Sequence, residues 1–289
     1  MQLAKIHRLA EEVTRRAIDV VALQEVNQTT VAAEVTPAPG YIPAELPAAG
    51  SSSPAVPQTV IREDNYAQVL VNVLRRRDPQ VQWQWSWVPV HRGFGVFDEG
   101  VALLSRHPLG SVRAFSHGGA FPYDNVRRRL SLAAQVQAPK QEFNLVSSHF
   151  SWWSMPEEEG TNPFAEEWAA LEPAFAQLSQ RGPIVLCGDF NQDAGVRGEG
   201  YDLVMESGLW RDSCLAAPHR RGESTVHKQI AGWDSATTAL RIDYILGRAG
   251  ADQGYAPQFM EHCVLFADDS PQAISDHSAV AATLKWTRL

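Results

Sequence analysis

Ile184-Val185-Leu186-Cys187-Gly188-Asp189-Phe190-Asn191 is an apolar strand core that ends in an acid and an amide. A strand holds its last side chains on rigid backbone while letting them emerge at the rim of a sheet, where a site can assemble. The same construction recurs in both directions from it. Val20-Val21-Ala22-Leu23 is a continuous apolar run of the kind a doubly buried strand shows, and it ends in Gln24-Glu25. Phe143 to Phe150 carries His149 near its end. Asp243 sits in Arg241-Ile-Asp-Tyr-Ile-Leu246, and Asp276-His277 precedes a last strand from Ala279 to Leu284. Taken singly, each residue has an ordinary reading: Asp189 and Asn191 as turn formers after Gly188, Ser275-Asp276 as a cap, His149 as a satisfied half-buried side chain. Five such landmarks, each beside a β-rich segment, point to a site.

The rest of the chain supplies the layers around these strands. Leu3, Ile6, Ala10, Val13 and Ala17 recur at helical spacing, and Tyr66 to Leu74 is helical in pattern. Trp83, Trp85 and Trp87 alternate with polar residues, which predicts a strand with the three indoles in the core. Further strands are expected at Gly100–Ser105, Arg129–Val136 and Cys263–Ala267. Phe164, Trp168, Leu171, Phe175 and Leu178 form one helical stripe, with Pro173 inside it as an expected kink or break. Between Thr36 and Pro57 six prolines and three serines predict a long surface excursion rather than a linker. No repeat or charge block appears, so residues 1–289 are expected to form a single domain.

With 289 residues, 44% of them hydrophobic and 20% charged, the chain is long enough for a sizeable core, and disordered, collagen-like and coiled-coil classes are excluded. No apolar run approaches the roughly 18 residues of a membrane helix. The net charge of −8 argues mildly for a small or singly phosphorylated substrate over a long duplex. Basic residues are gathered into no evident groove, apart from Arg75-Arg76-Arg77 and Arg127-Arg128-Arg129. Three cysteines without zinc or disulfide spacing read as thiols in a reducing compartment, and Met1 leads directly into amphipathic sequence, so a cytoplasmic monomer is expected.

Leu23-Gln24-Glu25-Val26, Ser148-His149, Gly188-Asp189-Phe190-Asn191, Arg241-Ile242-Asp243-Tyr244 and Ser275-Asp276-His277 follow one another across nearly the whole chain. In that order they resemble the motif series of the endonuclease/exonuclease/phosphatase superfamily, the DNase I-like metal-dependent phosphoesterases. His149-Phe-Ser-Trp-Trp153, Glu166-Glu167-Trp168, Gly232-Trp233 and Ser270-Pro271-Gln272 resemble its RgfB-like bacterial subgroup. The resemblance implies an α+β fold, a four-layered α/β-sandwich of two packed, mainly antiparallel β-sheets flanked by helices. It also implies an Mg²⁺- or Mn²⁺-dependent phosphoester hydrolase with a nuclease-like mechanism and a metal-activated water.

The resemblance assigns roles residue by residue. Glu25 is the principal metal ligand, Asp276 an additional one, and Asp189 positions or deprotonates the attacking water near the metal. Asn191 donates its amide to the phosphate, and His149 hydrogen-bonds a phosphate oxygen. His277 is the catalytic histidine, oriented by Asp243. Arg128 or Arg129 matches the phosphate-side arginine; strand alternation lets only one face the site, and Arg128 is preferred. Trp152 and Trp153 either meet a base or lipid at the mouth of the site or serve as packing.

One departure stands out. The family begins with a central strand bearing an Asn before the helix that precedes Leu-Gln-Glu, and here the helix begins at Leu3. A first strand is therefore expected to be missing, and a start assigned too late is the expected reason. The substrate expected is a phosphoester, either nucleic acid or a small phosphodiester. A sphingomyelinase-like lipid phosphodiesterase and a catalytically impaired regulatory binding protein of the same fold are the alternatives.

Overall fold

The computed structural model describes residues 2–47, 58–154, 160–230, 232–233, 239–251 and 254–289. They form a mixed α+β fold with sheets flanked by helices, in two compact units, Met1–His149 and Phe150–Leu289.

The first unit runs α1 (Gln2–Arg15), β1 (Val20–Thr29), α2 (Tyr66–Arg77), β2 (Gln84–Gly93), β3 (Phe97–Ser105), β4 (Leu109–Ser116), β5 (Leu130–Val136) and β6 (Phe143–His149). Its strands pair antiparallel in the orders β1-β3-β2 and β4-β5-β6, and β3 packs across β5 and β6. Helix α2 covers the first of these ladders. Asn65 caps it by accepting the Gln68 amide at 3.1 Å, and Leu70, Val71 and Leu74 are fully buried beneath it. The three tryptophans lie in this core, and the indole N–H groups of Trp85 and Trp87 donate to the Ala38 and Val26 carbonyls at 3.2 and 3.0 Å. An apolar ring with a satisfied N–H is the form in which Trp tolerates full burial.

Two expectations change here. Val20–Leu23 is half-buried rather than covered on both faces, because β1 lies at the edge of its ladder. The proline-rich segment is not a free excursion over its described part, and residues 48–57 lie outside the described residues. Tyr41 bridges Trp85 of β2, and Glu45 bridges Arg113 of β4, with Ile42 donating to the Trp85 carbonyl at 2.8 Å. The segment thus covers the outer strands of both ladders, whose unpaired backbone groups otherwise invite aggregation.

The second unit runs α3 (Pro163–Arg181), β7 (Ile184–Asp189), α4 (Gly200–Glu206), β8 (Trp210–Asp212), α5 (Ser213–Ala216), β9 (His219–Arg221), β10 (Asp243–Arg248), β11 (Tyr255–Leu265) and β12 (Ala279–Arg288). Its ladders are β7-β10-β8 and β12-β11-β9, with β9 parallel to β11 and β10 packed on β11 and β12. Gly247 makes that packing possible, since a Cβ there would stand 2.5 Å from the Pro257 ring. The stripe Phe164, Trp168, Leu171, Phe175 and Leu178 is buried, and Trp168 meets Phe150, Phe190 and Trp210 at ring distances of 5.8 to 6.2 Å. Helix α3 runs unbroken through Pro173, contrary to the expected break. Pro173 and the preceding Ala169 are both exposed, so water can take the hydrogen bond that the ring removes while the aromatic face holds the helix.

Candidate active site

Each unit gathers one cluster of the expected residues. In the first, Glu25 does not close β1; it sits in a bulge between Leu23 and Val26, with a left-handed backbone (φ 51°) and an exposed side chain. A bulge re-aims a side chain, and a non-glycine residue held at positive φ is strained unless its surroundings impose the conformation. Ser147 of β6 supplies part of that restraint. Its hydroxyl donates to the Leu23 carbonyl at 3.0 Å and accepts from the Gln24 amide at 2.8 Å. Glu25, Glu99 and His149 then place one potential ligand atom each within 4.8 Å of one another. Glu99 was not anticipated from the sequence. It lies on β3 opposite Asn27 of β1 and pairs with the buried His91 at 3.3 Å. Its only sequence signal is an acid one position before a glycine and an apolar strand.

His149 ends β6, is buried, and takes an Nη1–H from Arg129 on its Nδ1 at 3.2 Å. Arginine has no acceptor to offer, so in the neutral ring the hydrogen lies on Nε2, which makes His149 a donor rather than a metal ligand. The remaining donors, two carboxylates, suit a hard cation such as Mg²⁺ or Mn²⁺ that keeps several waters. Arg129, not Arg128, is the arginine at this cluster. Arg128 donates to the Val90 carbonyl and lies over the Tyr123 ring. Arg127, Arg128 and Arg129 are all buried, so they form no open basic groove.

In the second unit, β7 and β10 pair so that Asp189 stands opposite Asp243. His277 places Nδ1 3.0 Å from Asp243 Oδ2 and Nε2 3.9 Å from Asp189 Oδ2. The Thr225 hydroxyl fixes the start of β10 by accepting the Ile242 and Asp243 amides at 3.2 and 3.3 Å. The loop bearing His277 is tied to the same residue, because Ser278 N donates to the Thr225 carbonyl at 2.7 Å. Burial favours the neutral imidazole, but the Asp243 hydrogen bond and the charges of Asp243, Asp189 and Asp276 outweigh it, holding the His277 pKa up at about 10.

That shift has a stability consequence. A pKa raised above the ordinary 6.5 contributes stability that is fully present below that value and is lost as pH rises through about 10. Denaturant melts of chelator-treated protein should therefore lose stability between pH 6.5 and 10, and a His277→Ala variant should lose this slope. Equal slopes in the two proteins contradict the assignment.

The other expected residues are placed as follows. Asn191 does not continue the strand alternation, because its backbone is left-handed (φ 49°). Its backbone N–H donates to Asp189 Oδ1 at 2.8 Å and its Nδ2 to the Phe150 carbonyl at 3.0 Å, so it braces Asp189. Asp276 is exposed, accepts the Ser275 hydroxyl at 3.0 Å, and belongs to none of the three clusters of potential ligands among the described residues. Trp152 is half-buried against Gly232, where a Cβ would come within 2.6 Å of the indole, so its ring serves as packing in this conformation. Glu167 of α3, buried, accepts the Ser151 amide and hydroxyl at 2.9 and 2.6 Å and fixes the segment after His149.

Comparison with known proteins follows this geometry. The model of the Endonuclease/Exonuclease/phosphatase family matches residues 2–277. None of the curated proteins matches the chain. Among solved structures, an endonuclease/exonuclease/phosphatase family protein from Leptotrichia buccalis C-1013-b is similar at 25% identity and a TM-score of 0.76, over 98% of this chain and 94% of that one. A mannosyl-6-phosphatase from Bacteroides thetaiotaomicron VPI-5482 shares the fold at 16% identity and a TM-score of 0.60, over 98% and 91%. TDP2 from D. rerio, complexed with a single-strand DNA product, does so at 14% and 0.59, over 99% and 93%.

Proposed function

Because the chain belongs to the Endonuclease/Exonuclease/phosphatase family, we propose that residues 1–289 act as one catalytic domain, a divalent-metal-dependent phosphodiesterase. The observation that carries this reading is the imidazole of His277, held on Nδ1 by Asp243 with Nε2 directed toward Asp189. Attack on a phosphodiester needs an oriented water, neutralised non-bridging oxygens and a stabilised leaving oxygen. Asp189 supplies a carboxylate to orient the water, and Asn191 keeps it in place. His277 offers a positively charged N–H to the phosphoryl group. His149 offers a second N–H through Nε2, its ring fixed by Arg129. Glu25 and Glu99 would hold Mg²⁺ or Mn²⁺, which when bound supplies positive charge to the phosphoryl oxygens. Among the described residues no helix is long and apolar enough to cross a membrane. A cytoplasmic location belongs to the same reading, supported by Cys187, Cys214 and Cys263, none of which is in a disulfide among the described residues.

Purified protein is expected to turn over bis(p-nitrophenyl) phosphate or an oligonucleotide with Mg²⁺ or Mn²⁺ and to stop on chelation. No turnover of either with both metals refutes the reading. Calorimetric titration with Mn²⁺ should show at least about tenfold weaker binding in Glu25→Gln, about 1.4 kcal/mol. Unchanged binding would remove Glu25 from the ligand set. A lipid phosphodiesterase shares this chemistry and would reveal itself by choline-phosphate release from sphingomyelin vesicles.

A further inference from the structure

A cavity of about 400 Å³ lies along β9 and β11 of the second unit, and none of Asp189, Asp243 or His277 lines it. Its rim is an edge strand of three consecutive nitrogen-bearing side chains, His219, Arg220 and Arg221, all exposed, in a chain whose net charge is −8. The parallel register sets Arg220 beside His262 and Arg221 beside Cys263. His262 is 3% exposed, with Nδ1 2.9 Å from the Ser213 hydroxyl and Nε2 buried without a hydrogen-bond partner. Arg220 spends one N–H on the Cys214 carbonyl at 3.3 Å. The Arg221 guanidinium has no hydrogen-bond or ion-pair partner among the described residues. The one carboxylate in the lining, Glu261, accepts the Thr283 hydroxyl of β12 at 3.3 Å, on the side of β11 away from β9.

This set is rich in donors and poor in acceptors. Guanidinium groups offer N–H donors and no acceptor, so the cavity selects an anion over a cation. In the tautomer in which the Ser213 hydroxyl donates to Nδ1, the His262 Nε2 carries a hydrogen that a ligand oxygen would satisfy. Burial lowers the His262 pKa, so the ring enters neutral. No Phe, Tyr or Trp lines the cavity, so charge more than a base face is what it can recognise. From Arg221 to Thr225, which fixes Asp243, is four residues, at most about 14 Å of chain. One extended ligand with several phosphates spans that distance.

We propose that this cavity is a phosphate subsite that grips the backbone of a nucleic-acid substrate at a linkage away from the one cleaved. The proposal rests on the phosphodiesterase reading and adds the substrate class to it. In the sequence, His219-Arg220-Arg221 carries no signal of its own, because three basic residues on a surface strand are ordinary without the buried His262 behind them.

The double variant Arg220→Ala/Arg221→Ala is expected to keep kcat/KM for bis(p-nitrophenyl) phosphate and to raise KM for a single-stranded oligonucleotide about tenfold. The slope of log affinity against log salt should fall by about 1.4, which is two contacts at about 0.7 each. Arg220→Lys/Arg221→Lys should restore the slope. An unchanged oligonucleotide KM and slope, or equal losses on both substrates, overturns the proposal. If neither substrate is turned over, the functional reading fails on its own. Fluorescence anisotropy of a labelled oligonucleotide in EDTA still tests the subsite: salt-dependent binding lost in the alanine variant supports it, and binding equal to wild type overturns it.

Discussion

Replacing His277 with alanine is expected to lower kcat on a phosphodiester by about 10² to 10⁴, the range that a positioned proton-transfer or charge-donating group contributes. The ring is 23% exposed at its side chain, held by Asp243 at 3.0 Å and approached by Asp189 at 3.9 Å, so it is the only imidazole in its cluster with carboxylates at both nitrogens. KM should change less than kcat, because the interaction serves the developing charge more than the bound substrate. Asp243→Asn is a companion test. It keeps a hydrogen-bonding group of the same shape beside Nδ1 but removes the charge that raises the His277 pKa, so a loss in kcat and a lower pH optimum should appear together. Circular dichroism melts should show both variants folded. A loss of less than tenfold in His277→Ala would show that the proton chemistry lies elsewhere.

The largest expected effect on stability lies at a pair that takes no part in the reaction. Arg241 and Asp212 have side chains 7% and 1% exposed and form an ion pair between the segment leading into β10 and the end of β8. Asp212 is further bound by the Tyr201 hydroxyl at 2.8 Å and by the Cys214 amide at 2.8 Å, where it caps α5. The guanidinium lies over the rings of Tyr201 and Tyr244, 5.0 Å from each centroid. Burial disfavours the charged guanidinium, but the paired carboxylate more than offsets this and holds the Arg241 pKa above its ordinary value. Asp212→Ala removes most of that compensation and leaves the buried cation with Glu223 alone, at 3.8 Å. The cost of breaking such a pair from one side is about 3–5 kcal/mol, which lowers Tm by roughly 10 °C in a chain of this size. Replacing both partners, Asp212→Leu with Arg241→Met, should recover much of the loss, because no charge is then stranded. A single-variant effect below about 1 kcal/mol would show that water reaches the guanidinium.

The two predictions divide the Arg241-Ile242-Asp243-Tyr244 motif in a way that its letters do not. Asp243 belongs to the chemistry, whereas Arg241 and Tyr244 hold the strand. The Tyr244 hydroxyl donates to the Gln192 carbonyl at 2.6 Å, linking the motif to the loop after Asp189. A resemblance in sequence marks such residues together because they occur together. Separating them takes knowledge of which side chain is buried and against what.

Much of the architecture was legible because apolar periodicity is a local property. The strands ending at His149 and Asp189, the helix under Phe164 to Leu178 and the indoles of Trp83, Trp85 and Trp87 followed from residues close together in the chain. The shorter elements were not legible. β8 and β9 have three residues each and α5 four, too few for a period to show. β4 alternates weakly, and its outer edge is covered by the segment around Glu45, a contact about 70 residues distant in sequence.

The sequence by itself determined the order of the chemical groups and the strands that carry them, since an acid or imidazole after an apolar run is fixed by the chain alone. Tertiary structure decided their aim. Whether Glu25 projects from a bulge, whether Asn191 meets substrate or braces Asp189, and which of Arg128 and Arg129 reaches His149 depend on backbone angles of +51° and +49° and on partners far along the chain. Those angles are imposed by packing and hydrogen bonds between distant segments, and no local pattern of residue types encodes them.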